Sequence, residues 1–146
     1  MNSVLRLVSH FLIAAMATFL LASLAHSQFV LHELGKLGVE IDFATRLSST
    51  LDDLTGLMPT YGIVVAISLL IGFLITTLVR KYLAKPAHWL YPVAGFVAIL
   101  AAHIAMHPIL DITLIAGARS TFGLICQCLA GAFGGWAFMN MRQSNL

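Results

Sequence analysis

Two histidines four residues apart, His103 and His107, are the pair most suggestive of chemistry in this chain. On a helix they share a face, and paired histidines at that spacing can chelate a metal ion. Asp111 follows just past Pro108, Arg119 opens the next apolar run, and Gln127 lies near the middle of that run. This polar corner could bind a metal through His103 and His107, ligate a haem with His26, hold a quinone headgroup, or relay protons through histidine and Asp111. Ionisable groups at membrane depth point to function by default. A zincin-type protease is not supported: Ile104, Ala105 and Met106 separate the histidines, so the catalytic Glu is missing.

The same residues admit a plainer account. His103 and His107 would be interfacial histidines bonded to water, headgroups or loop backbone; Asp111 would be a turn residue and Arg119 a snorkelling anchor. A helical wheel places the two histidines beside Trp89, Phe96, Ile99 and Leu100, opposite the small residues of their run. That arrangement turns them toward lipid or a partner rather than the bundle interior. Gln127 is expected to bond across to another helix, because an unpaired amide in an apolar medium is costly. It reads as structural glue, with a contact on a substrate path or cofactor as the alternative. His10 and His88 read as interfacial. Cys126 and Cys128 point about 200° apart on a helix and read as buried apolar thiols; no CxxC or zinc spacing exists.

The elements that must position these groups are apolar. Of 146 residues, 60% are hydrophobic and 10% charged, with mean hydropathy +0.94; soluble domains carry roughly 25% charged residues. A transmembrane helix needs about 20 mostly apolar residues. Four runs qualify: Leu7 to Ala25, Tyr61 to Val79, Ala87 to Met106 and Ser120 to Met139. The expected fold is therefore all-α, a single integral membrane domain over 1–146 built as a four-helix bundle. The first run also resembles a signal peptide, with Ser23-Leu24-Ala25 as a cleavage site. Its length favours a retained helix; cleavage would leave three spans.

Basic residues set the topology. Arg6 precedes the first span, Arg80, Lys81 and Lys85 fill the link between the second and third, and Arg142 follows the fourth. Both termini are placed inside, with the loop 27–60 on the periplasmic side of a bacterial inner membrane. That loop holds Glu33, Glu40, Asp42, Asp52 and Asp53 against Lys36 and Arg46, and outside it Arg119 is the one basic residue on the wrong side. Trp89, Tyr91, Tyr61 and Trp136 fall near span ends, where aromatic belts are expected. Within the outer loop, Phe43, Leu47, Leu51, Leu54 and Met58 recur at helical spacing opposite Asp42, Arg46, Ser49 and Asp53. An amphipathic helix stopped by Gly56 and Pro59 is expected, lying at the membrane interface as a cap on the bundle or docking a partner. Gln28 to Leu37 could form a shorter helix.

Packing should use small residues, which let backbones approach in lipid. The stripes are Ala14, Thr18 and Ala22; Ser68, Gly72 and Thr76; Gly95, Ala98, Ala102 and Ala105; and Gly123, Ala130, Gly131, Gly134 and Gly135. Net charge is +2, and no basic cluster with interleaved aromatics suggests nucleic acid. No phosphate loop, nucleophile elbow or paired carboxylates support enzyme chemistry. Three function classes remain. The first is a non-enzymatic protein that works by association, as an accessory or anchoring subunit or a homo-oligomer. The second is a redox or cofactor subunit using His103 and His107. The third is a small oligomeric transporter with Arg119 and Gln127 on its path, although no internal repeat supports it.

Overall fold

The computed structural model describes residues 2–83, 87–110 and 120–144, the side chains of 107–110 excepted. The described chain is helical: α1 (Ser3–Lys36), α2 (Phe43–Leu57), a π-helical turn (Met58–Gly62), α3 (Ile63–Arg80), α4 (Leu90–Leu110) and α5 (Thr121–Gln143). Among the described residues, three rods are long and apolar enough to cross a membrane: Ser3–Lys36, Phe43–Arg80 and Thr121–Gln143. The fourth apolar helix, α4, lies in the same bundle, between α3 and α5.

Two sequence expectations about the loop 27–60 are corrected. First, α1 does not end near Ala25. It runs on through Lys36, because no Pro interrupts it and its polar residues His26, Gln28, His32 and Glu33 are tolerated in a helix. It stops where Gly38 takes φ +86, with Gly38 N–H bonded to the Gly35 carbonyl and Val39 N–H to the Leu34 carbonyl. This is the Schellman closure, and the left-handed position requires glycine. Second, Gly56 and Pro59 do not stop α2. Proline removes a donor and crowds the carbonyl four residues back, and the helix absorbs this by widening into the π turn that carries Pro59. Residues 43–80 therefore form one continuous helical rod.

That rod runs antiparallel to α1 over its whole length. Gln28 meets Thr50, Ser27 meets Asp53, Phe19 meets Tyr61, and Phe11 meets Phe73. At about 1.5 Å per residue α1 spans about 51 Å, against a hydrocarbon core of about 30 Å. α2 stands beside the distal third of α1, in line with α3.

α5 is the shared helix, packed against both α1 and α4. A methyl group added at Gly131 would overlap the Gly95 carbonyl of α4, one at Gly135 the Tyr91 carbonyl, and one at Gly134 the Thr18 hydroxyl and Ala14 carbonyl of α1. The glycine stripe of α5 thus serves two neighbours. In α4 the small residues divide differently from expectation. Gly95 faces α5, whereas Ala94, Ala98, Ala102 and Ala105 join Ser68 and Gly72 of α3 in an apolar groove of about 520 Å³. At the Arg80 end, Phe73 and Phe138 stack at 4.7 Å, and Tyr91 packs edge-on against both.

Candidate functional site

The buried polar groups gather in a layer that joins α1, the π turn, α4 and α5. Gln127 of α5 is fully buried. Its Nε2 donates to the Ala22 carbonyl of α1 at 3.0 Å, and its Oε1 accepts from the Tyr61 hydroxyl at 2.9 Å. One amide therefore ties three elements together. The Ala22 carbonyl is reachable because α5 and α1 approach closely at Gly134. Tyr61 is 2% exposed, held between Phe19 and the His103 ring at centroid distances of 6.5 and 5.9 Å.

His103 lies inside this layer, 9% exposed, which corrects the wheel's outward placement. The inward face of α4 is Tyr91, Gly95, Ile99, His103 and Met106, all buried. The alanine-rich face is half-buried against α3, where Ala94 and Ala98 lie closest to Gly72. Size alone misleads, because α4 packs α5 through its large residues and Gly95 together. The His103 Nδ1 sits 2.9 Å from the Ile99 carbonyl. A carbonyl only accepts, so Nδ1 carries the proton and Nε2 presents a lone pair when the ring is neutral. That Nε2 is buried with no partner among the described residues, as is the Ser23 hydroxyl.

Of the other sequence candidates, His107 falls in α4, but its side chain lies outside the described residues, as do Asp111 and Arg119 entirely. The proposed His103–His107 metal pair therefore has one described member. Among the described residues, no group of three or more His, Cys, Asp or Glu is arranged to hold a metal ion. His26 is buried on α1 at the level of a second polar contact, nearer the distal end. There the Ser27 hydroxyl donates to Asp53 of α2 at 2.7 Å, and Arg46 donates to the Gln28 side-chain oxygen at 2.8 Å. Cys128 is buried and Cys126 half-buried, both as free thiols.

Sequence reasoning missed Tyr61, Tyr91 and Asp53. Both tyrosines read as belt residues because they fall near span ends, yet Tyr91 is fully buried and Tyr61 nearly so; of the four belt candidates, Trp89 and Trp136 are the exposed pair, at 63% and 47%. Asp53 read as part of a solvated face because its partner lies 26 positions away. The Gln127 cross-helix bond was the legible feature. No family model, curated protein or solved structure matches this chain.

Proposed function

We propose that this chain is a four-span protein of a bacterial inner membrane, with both termini inside, that works by association. It serves as an accessory or anchoring subunit of a larger membrane complex, or as a homo-oligomer, and α2 is its docking element. The observation that carries this reading is the direction α2 faces. Its polar side is turned onto α1 by the Asp53–Ser27 and Arg46–Gln28 bonds. The first half of its apolar stripe is left outward, with Phe43 80%, Leu47 52% and Leu51 55% exposed, while Leu54 packs against the core. With the apolar part of α1, Leu7 to Ala25, set in a hydrocarbon core of about 30 Å, this stripe would stand beyond the core, where lipid tails would not cover it. An exposed apolar stripe in water marks an interaction surface.

The test is the particle mass in mild detergent, for the wild type and for Leu47→Glu/Leu51→Glu. The expected result is a wild-type particle larger than the monomer that the double variant reduces to one chain. A multiple of the chain mass would assign self-association; a larger mixed particle would assign a subunit role. A wild-type monomer, or an assembly untouched by the substitutions, overturns the proposal.

A second reading, a redox or cofactor subunit, is favoured by the buried His103 Nε2 without a described partner. An absorption spectrum and metal analysis of the purified protein test it. A Soret band or stoichiometric metal lost in His103→Ala would support this reading, and their absence from the wild type would remove it. The Tyr61 ring already occupies one flank of the imidazole, so an added group would have to approach Nε2 from another side.

A further inference from the structure

At the end of the bundle opposite Asp53, a cavity of about 440 Å³ is lined by Arg6 and His10 of α1, Arg80 of α3, His88 of the turn before α4, and Arg142 of α5. All five side chains are half-buried. None of the described lining residues is acidic. The five described carboxylates, Glu33, Glu40, Asp42, Asp52 and Asp53, belong to the distal end of α1, the turn after it and α2.

The two innermost arginines converge on a neutral group. Arg80 and Arg142 both donate through Nη1 to the Tyr91 hydroxyl, at 3.2 and 2.8 Å, and both lie over its ring at 5.3 and 5.8 Å from the centroid. The Tyr91 O–H is directed to Thr77 Oγ1 at 3.1 Å, since the Thr77 proton goes to the Phe73 carbonyl at 2.7 Å. Arg80 Nη2 donates to His88 Nε2 at 3.2 Å, because a guanidinium cannot accept. The Arg80 Nε is buried with no partner among the described residues.

Ordinary causes account for part of this cluster only. Arg80 and Arg142 sit in last helical turns, where the helix dipole favours a cation. Arg6 is near the opposite, positive end of α1, so the dipole does not explain it. Three guanidinium groups around one cavity repel one another unless an anion sits among them. Arginine forks match phosphate oxygens in charge and geometry. Basic pockets between transmembrane helices bind anionic headgroups.

We propose that this cavity binds phosphate, carried as the headgroup phosphodiester of an anionic phospholipid. Arg6, Arg80 and Arg142 supply charge-assisted hydrogen bonds, while the exposed Val4 and Leu7 at the rim meet the glycerol and upper acyl chain. The assignment rests on the bilayer-crossing part of the function proposed above, and on neither its sidedness nor its partner.

The test measures binding to the full chain in an uncharged detergent by native mass spectrometry and thermal unfolding. The probes are phosphatidylglycerol, phosphatidylcholine and inorganic phosphate. Phosphatidylglycerol is expected to bind roughly tenfold more tightly than phosphatidylcholine, the scale of one charge-assisted contact. Arg6→Gln/His10→Gln, which leaves the Tyr91 contacts in place, should remove that preference without lowering the lipid-free unfolding temperature. Lys81→Gln removes an exposed charge next to Arg80 but outside the cavity, and should leave the preference intact. Should the first variant fail to fold, Arg142→Lys keeps the charge, loses the fork, and should weaken phosphatidylglycerol binding several-fold. Equal binding of the two lipids, or an equal loss with Lys81→Gln, overturns the site. Inorganic phosphate that displaces phosphatidylglycerol at micromolar concentration overturns the lipid assignment in favour of a soluble phosphate. Particle mass is read separately, so failure here and failure of the association proposal are distinguishable.

Discussion

The Tyr61–Gln127–Ala22 connection can be tested by a double-mutant cycle. Tyr61→Phe keeps the ring between Phe19 and His103 and deletes only the donor to Gln127 Oε1 at 2.9 Å. Hydrogen bonds between membrane helices average about 0.6 kcal/mol and reach about 1.7. An orphaned acceptor in a site with no exposed surface pushes toward the upper value, so a loss of about 1–1.5 kcal/mol is expected. Gln127→Leu removes two bonds and strands the Tyr61 hydroxyl, itself 2% exposed; with a stranded donor costing about 1–3 kcal/mol, the loss should be about 2–3. The double variant Tyr61→Phe/Gln127→Leu has no stranded hydroxyl. It should be no less stable than Gln127→Leu alone, giving a coupling of about 1 kcal/mol. Reversible unfolding in bicelles, followed by circular dichroism, measures all three. Losses that simply add, within about 0.5 kcal/mol, would refute the claim that these side chains form one unit.

Two further outcomes follow from the geometry. Gly131→Ala places a methyl against the Gly95 carbonyl and the Ile99 side chain, and should lower stability by about 1–3 kcal/mol or more; Gly56→Ala, with nothing within 4 Å, should be neutral or stabilising in the same unfolding assay. At the start of α2, Asp42 accepts from the Thr45 N–H at 2.9 Å, and hydrogen bonds from the Thr45 side chain and backbone hold its pKa below the usual 3.8. A depressed carboxylate stabilises above its ordinary pKa and loses that contribution as pH falls through the folded value. Amide exchange at Thr45 and Arg46 should therefore accelerate, beyond its intrinsic pH dependence, below about pH 4 in the wild type and not in Asp42→Asn.

Hydropathy was enough to locate the apolar helices, because water-to-lipid transfer is a property of composition over about 20 residues. It could not locate their ends. α1 loses its apolar character near Ala25 yet remains helical to Lys36, since helix formation there depends on backbone propensity and on a neighbouring rod, neither of which hydropathy measures. Gln127 was legible because a lone amide within an apolar run has to find a partner. Its partner Tyr61 was not. A tyrosine near a span end satisfies the aromatic-belt pattern and the buried-donor pattern equally, and only the antiparallel register of α1 with the rod 43–80 decides between them. His103 was placed wrongly for a related reason: the wheel ranked the faces of α4 by side-chain size. The α4–α5 contact instead combines Gly95 and Gly131 in close backbone approach with Ile99 and His103 beside them.

The glycines and the polar layer are parts of one device. Gln127 reaches the Ala22 carbonyl with a short side chain only because Gly134 admits Ala14 and Thr18 of α1, one and a half to two turns further along α5. A larger residue at Gly134 would hold α1 away and break the Gln127–Ala22 bond without touching either group. Close packing and hydrogen bonding here rise and fall together. Such a middle holds α1, the rod 43–80 and α5 in fixed register, which in turn holds the two ends. From Asp53 to Arg80 the rod measures about 40 Å at about 1.5 Å per residue. The outward stripe of α2 and the arginine cavity thus occupy opposite ends of a spacer longer than a hydrocarbon core of about 30 Å, so the proposed partner and the proposed anionic headgroup would not compete for the same end of the chain.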